Sequence, residues 1–141
     1  MQRIHKDRQL DIQGSVGTDL NFEGVREDLI DLLGNVTDNA CKWAGSRVEI
    51  RAVAAETGPR RPFLDIIIED DGSGVSETEI PLLFERGKRF DEHTPGTGLG
   101  LAIVRDVGEM YGGKVAASRS DRLGGLKVTL TLPAKPVLDQ D

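Results

Sequence analysis

The alternation of apolar and polar positions divides the chain into short strands and two helical stretches. Leu10–Val16 and Asp19–Phe22 alternate weakly, as short strands do. From Val25 to Ala44 the period lengthens. Leu29, Leu33, Val36, Ala40 and Trp43 recur at helical spacing and form one apolar face. Arg47–Val53 alternates again, and Glu56–Pro62 carries the breakers Gly58, Pro59 and Pro62, which predict a loop. Phe63–Glu69, reading FLDIIIE, is the most strand-like run, and DDGSG follows it as a turn. Ser76-Glu77-Thr78-Glu79 resembles a capping box opening a short helix towards Leu83. Residues 84–97 keep no period, and a loop of that length inside a compact domain is usually functional or disordered. Leu99–Tyr111 predicts a helix ended by Gly112-Gly113. Lys114–Ser120 and Leu126–Leu132 predict two strands joined through DRLGG, and an unstructured tail is expected from Ala134. Strands and helices that do not alternate strictly predict an α/β fold. The expected form is a two-layer sandwich, a mixed sheet with helices on one face.

Composition narrows the function. The 141 residues suffice for one domain with a proper core. No apolar run approaches the ~20 residues that span a bilayer. The single cysteine, Cys41, fits a reducing compartment and is most simply a small buried hydrophobe. A net charge of −6 argues against general nucleic-acid binding. An anionic ligand would need a local basic cluster, and Glu85-Arg86-Gly87-Lys88-Arg89 supplies one. Neither His5 nor His93 enters a metal cluster or a nucleophile pair.

Three stretches carry chemistry. In GNVTDNACKW, a turn of 100° per residue brings Asn35, Asn39 and Lys42 onto one helix face, with Asp28 and Asp31 extending the stripe. A solvated face is the plain alternative, but such faces favour Glu, Lys and Gln over mid-helix Asn. Asn carbonyl oxygens suit a hard cation such as Mg²⁺, and Lys42 would face the same phosphates. In FLDIIIEDDGSG, strand parity puts Asp70 on the face of Leu64, Ile66 and Ile68, while Asp65, Glu69 and Asp71 are expected towards water. A carboxylate ending an apolar face needs a partner. The exocyclic amine of adenine is such a donor, and Gly72 and Gly74 would leave room for a flat ring. An Asx-type turn is the alternative. In TPGTGLGL, Gly96, Gly98 and Gly100 lead into a helix and expose backbone N–H groups at its positive end, a site suited to phosphate. Neither the P-loop nor the dinucleotide fingerprint matches.

In this order and spacing the motifs resemble the catalytic ATP-binding domain of sensor histidine kinases, within the gyrase, Hsp90, histidine kinase and MutL (GHKL) ATPases. GNVTDNACKW resembles the N box, EDDGSG the G1 box, LLFERGKRF the F box and GTGLGLAIVRDVGEMYGG the G2 box. FERGKRF is similar to the lid of magnesium-sensing PhoQ-type kinases. The resemblance implies the Bergerat fold with a mobile ATP lid, and ATP and Mg²⁺ as ligands. It implies that Asn35 holds Mg²⁺, that Asn39 and Lys42 contact phosphate, and that Trp43 covers the purine. Asp70 would read adenine beside Gly72, Gly74 and Val75, and Arg89, next to Lys88, would reach the γ-phosphate. Gly96, Thr97, Gly98, Leu99, Gly100 and Leu101 would line the triphosphate. Two departures stand out: Thr94 replaces a second lid arginine, and Thr97 replaces a Gln, leaving its metal contact open.

The resemblance also implies what lies elsewhere. The acceptor histidine sits on a separate dimerisation domain, and phosphate passes on to a response regulator. The chain is then expected to be a cytoplasmic fragment of a protein anchored in the bacterial inner membrane. Residues 1–9 would end a connecting segment, 10–133 form the domain, and 134–141 trail as a tail. No contact with nucleic acid or membrane is expected of the domain itself. A serine kinase of the anti-sigma-factor type and a nucleotide-gated module of the Hsp90 or MutL type are the rival readings.

Overall fold

Isoleucine and other β-branched residues favour a pleated, half-buried backbone, and the FLDIIIE run accordingly lies at the centre of the sheet. The computed structural model describes residues 11–17, 20–55, 62–72, 76, 78–84 and 100–136. The strands are β1 (Asp11–Val16), β2 (Leu20–Phe22), β3 (Arg47–Ala54), β4 (Phe63–Asp70), β5 (Lys114–Arg119) and β6 (Leu126–Pro136). They form one sheet in the order β1-β3-β4-β6-β2, with β5 also paired to β6. β1 runs parallel to β3 and the other pairs are antiparallel, the mixed sheet expected.

Two helices, α1 (Arg26–Trp43) and α2 (Gly100–Met110), pack on one face. Leu32, Val36 and Ala40 of α1 and Leu101 and Val104 of α2 meet Leu64, Ile66 and Ile68 of β4 and Val128, Leu130 and Leu132 of β6. The segment after Ser76 forms a 3₁₀ turn, Ile80–Phe84, and half of the expected capping box is present: Ser76 N–H donates to Glu79 Oε1 at 3.3 Å. α2 ends in a Schellman motif. Gly112 takes φ +78°, Gly113 N–H bonds Gly108 O at 3.0 Å, and Gly112 N–H bonds Glu109 O at 2.9 Å. Gly113 has a second reason to be glycine, since a Cβ there would overlap the carbonyl oxygen of Thr131.

Two expectations are corrected. Ala134 does not open a tail: Ala134–Pro136 complete β6, with Phe22 opposite Ala134 and Leu20 opposite Pro136. That pairing joins residues more than a hundred positions apart, which no local pattern reveals. Residues 137–141, like residues 1–9, lie outside the described residues. The outer face of β4 is not simply wet either. Glu69 is only 2% exposed, because Ser120 Oγ donates to its Oε2 at 2.9 Å and Arg122 Nη1 to its Oε1 at 3.2 Å. Asp65 accepts from Thr131 Oγ1 at 2.6 Å.

The connections decide what shares an end of the sandwich. Tyr111, just past α2, donates through its hydroxyl to Asp28 Oδ2 at 2.5 Å and accepts Val25 N–H at 3.0 Å, at the start of α1. α2 therefore runs antiparallel to α1, and about 15 Å of helix carries its N-terminus back towards the end of α1. A short loop joins α1 to β3, and antiparallel β3 and β4 bring the end of β4 to the same place. The turn between β5 and β6 arrives there too, since Lys127 pairs with Glu69.

Candidate functional site

Asp70 occupies the position that parity predicts. It is 2% exposed on the face of Leu64, Ile66 and Ile68. Its Oδ1 accepts Gly72 N–H at 2.9 Å and, more weakly, Leu126 N–H at 3.4 Å. No described residue donates to Oδ2. Burial pushes the Asp70 carboxyl above its ordinary value, the two backbone N–H groups pull it down, and the neighbouring Asp71 charge pushes it up again. A buried acceptor with one oxygen held and the other uncommitted is a poor structural element and a good ligand-reading one.

Asp71 is the opposite case. It was expected to face water, but β4 ends one residue earlier and the turn swings its carboxylate onto the loop after α1. Oδ1 accepts N–H from Gly45 at 2.9 Å and from Ser46 and Arg47 at 3.0 Å, and Oδ2 accepts Ser46 Oγ at 2.8 Å. Desolvation works against the charge, but the bonds from Ser46, Arg47 and Gly45 outweigh it and bring the pKa to about 2. Asp71 thereby ties the end of α1 to the end of β4, side by side with Asp70.

Asn35, Asn39 and Lys42 are half-buried on α1. Neither Asn amide makes a side-chain hydrogen bond to a described residue. Asp31 is exposed, as expected, whereas Asp28 is engaged by Tyr111 and leaves the polar stripe. Gly100 is the first residue of α2, so the glycine run does lead into a helix N-terminus, and no acidic residue occupies its first turn. Leu101 is 5% exposed and packs in the core, which leaves only its backbone for a ligand. Gly74, Val75, Lys88, Arg89, Thr94, Gly96, Thr97, Gly98 and Leu99 lie outside the described residues, as does the side chain of Trp43. The lid expected over residues 84–97 falls almost wholly there.

One participant was missed. Gly125 N–H donates to Asp70 O at 3.0 Å, and a Cβ on Gly125 would overlap Asp70 Oδ1 and O and lie 2.8 Å from Gly72 N. From the sequence, Gly124-Gly125 explains itself as a hairpin turn. Of the two, Gly124 takes the positive φ of +94°, so close approach to Asp70 rather than turn geometry requires Gly125, which the sequence does not reveal.

The residues present fit a purine nucleotide with its metal: an uncommitted carboxylate oxygen for the exocyclic amine, uncommitted Asn carbonyls for a hard cation, and a helix N-terminus on the same side. The chain belongs to the histidine kinase-, DNA gyrase B- and HSP90-like ATPase family, whose model matches residues 24–136. The sensor protein kinase CarS of Pseudomonas aeruginosa is 40% identical over 93% of this chain, which spans 28% of that protein. The virulence sensor histidine kinase PhoQ of Salmonella typhimurium is 35% identical over 91% of the chain, which spans 25% of it. Among solved structures, the mycobacterial sensor histidine kinase MprB superposes with a TM-score of 0.81 at 30% identity, covering 96% of this chain and 91% of that one. The chain thus corresponds to about a quarter of the length of these curated relatives.

Proposed function

We propose that this chain binds ATP with Mg²⁺ and presents the γ-phosphate to a histidine on a separate dimerisation domain, as the catalytic half of a two-component sensor kinase. The carrying observation is Asp70, buried with Oδ1 pinned by two N–H groups and Oδ2 left for a base amine. Guanine, with an oxygen at that position, would face the carboxylate with an acceptor and be disfavoured. Asn35 would hold Mg²⁺, which supplies charge compensation to the phosphates, and Asn39 and Lys42 would contact phosphate. Arg89 would offset charge on the transferring group, with Lys88 beside it. Trp43, Gly72, Gly74 and Val75 would border the base, and residues Gly96 to Leu101 the triphosphate.

Phosphoryl transfer asks the protein mainly for positioning and charge compensation. The acceptor imidazole is its own nucleophile, so no general base is required of this chain. The natural setting is a cytoplasmic domain of a membrane-anchored receptor, with a response regulator as the next phosphate acceptor. Residues 10–136 would form the domain. Labelled ATP with the chain and a separately produced acceptor domain tests the reading. An acid-labile, base-stable phosphoramidate on the acceptor is expected. A stable serine ester would favour the anti-sigma-type kinase, and no transfer despite tight nucleotide binding would favour an Hsp90- or MutL-type module.

A further inference from the structure

The turn between β5 and β6 grips two consecutive residues of β4 from opposite faces of the sheet. On the outer face, Ser120 Oγ donates to Glu69 Oε2 at 2.9 Å. Arg122 Nη1 donates to Glu69 Oε1 at 3.2 Å and to Glu49 Oε1 at 2.5 Å. Arg51 approaches Glu69 Oε1 at 3.6 Å, and Arg47 pairs with Glu49 Oε2 at 3.0 Å. On the inner face the same turn delivers Gly125 N–H to Asp70 O at 3.0 Å and Leu126 N–H to Asp70 Oδ1 at 3.4 Å. Internal bonds make the turn one unit: Leu123 N–H to Ser120 Oγ at 3.1 Å, Ser120 N–H to Gly125 O at 2.7 Å, and Gly124 N–H to Ser120 O at 2.8 Å. Gly124 and Gly125 have no side chains with which to anchor it. Leu126, buried in the core, fixes its far side, and the polar bonds on the outer face fix its tip.

We infer that Ser120 and Arg122 are positioning residues for base recognition, clasping Glu69 so that the turn holds Asp70 Oδ1 and leaves Oδ2 aimed at the nucleobase. This rests on the nucleotide reading of Asp70. Without Arg122 the buried Glu69 carboxylate keeps Ser120 and the longer Arg51 contact but loses the bridge to Glu49, so the turn is held less firmly. Leu126 N–H then withdraws from Asp70, and Oδ1 keeps only the Gly72 N–H bond, which leaves the carboxylate less firmly oriented.

The experiment uses this chain with Ser120→Ala, Arg122→Lys and Arg122→Met. Displacement of a fluorescent ATP analogue by ATP and by GTP is measured beside amide exchange of Leu126 in the nucleotide-free protein. Arg122→Met is expected to weaken ATP about five- to twentyfold and GTP less, narrowing the ratio between them. Leu126 exchange is expected to quicken about tenfold, with Arg122→Lys falling between. ATP binding and exchange like wild type would overturn the inference. So would an equal loss for both nucleotides, the mark of a merely structural contribution. If Arg122→Met fails to fold, Ser120→Ala decides by the same criteria. A wild-type chain that takes up neither nucleotide sinks the reading of Asp70 and this inference with it, whereas unaltered discrimination in variants of a chain that does bind sinks the clasp alone.

Discussion

The two helices meet the sheet at two ends that treat their polar groups differently. At the far end, Tyr111 closes the structure: its hydroxyl accepts the backbone N–H of Val25, the residue that precedes α1, and donates to Asp28. Its ring stands edge-on to Phe22, with centroids 5.1 Å apart. A Cβ on Gly24 would overlap both rings, so this corner is filled as well as bonded. At the other end, Asp70 is buried with one oxygen uncommitted, and the Asn35 and Asn39 amides bond to no described residue. One end is finished by the chain itself. The other keeps polar groups that no described residue engages.

Substitutions should therefore separate the ends by what they change. Asp70→Ala is expected to have the largest effect, at least about a hundredfold in ATP affinity, because the amine it would receive is left unpaired. The nucleotide-free variant should melt no lower than wild type. Burial raises the Asp70 pKa, so its ionisation costs stability at neutral pH, and that cost fades as pH falls through the raised value towards 3.8. Isothermal titration paired with thermal melts checks both halves. A variant that binds ATP normally, or one that melts well below wild type, would break the distinction between the ends.

Asp71→Ala should do the reverse, although it is the adjacent residue. A pKa lowered from 3.8 to about 2 marks a charge that favours the fold, in full above pH 4 and lost as pH falls towards 2. The whole shift would correspond to about 2 kcal/mol, and solvent screening at this partly exposed carboxylate leaves about 1 kcal/mol. Urea unfolding at pH 7 and pH 3 is the measurement. The gap between Asp71→Ala and wild type should be present at pH 7 and smaller at pH 3. ATP affinity should fall only modestly, through the loosened junction of α1 with β4.

The contrast between Asp70 and Asp71 also shows what a sequence can and cannot reveal. Asp70 was legible because strand parity needs only its neighbours in the chain. Asp71 was placed in water by the same rule, which stops applying where the strand stops. Glu69 was misplaced for another reason: its partners Ser120 and Arg122 lie some fifty residues away, and burial by distant arginines leaves no local trace. Gly125 was visible as a glycine but not as the neighbour of Asp70. The Asn35, Asn39 and Lys42 stripe was legible because helical period alone aligns it, while the engagement of Asp28 by Tyr111 depends on how α2 folds back. Local periodicities thus carried the elements and the placement of Asp70 and of the Asn35, Asn39 and Lys42 stripe. The contacts that hold the site in shape are long-range.

Tyr111→Phe gives the smallest expected effect and the cleanest control. It keeps the ring against Phe22 and removes only the hydroxyl, so Val25 N–H and Asp28 return to water at an accessible corner. The melting temperature should drop by about 2–5 °C. The wild-type hydroxyl also titrates late: its bond to Asp28 raises the Tyr111 pKa, and only the Val25 N–H pulls the other way. A raised folded pKa means the proton is held more firmly in the native state. The stabilisation is therefore complete below the ordinary tyrosine range and is lost as pH climbs through the raised value. Melts of wild type and Tyr111→Phe should converge in strong alkali, with nucleotide affinity equal at neutral pH. If affinity instead fell with the loss of this hydroxyl, the ends would be coupled through α2, and the positive terminus at Gly100 would depend on how its far end is tied.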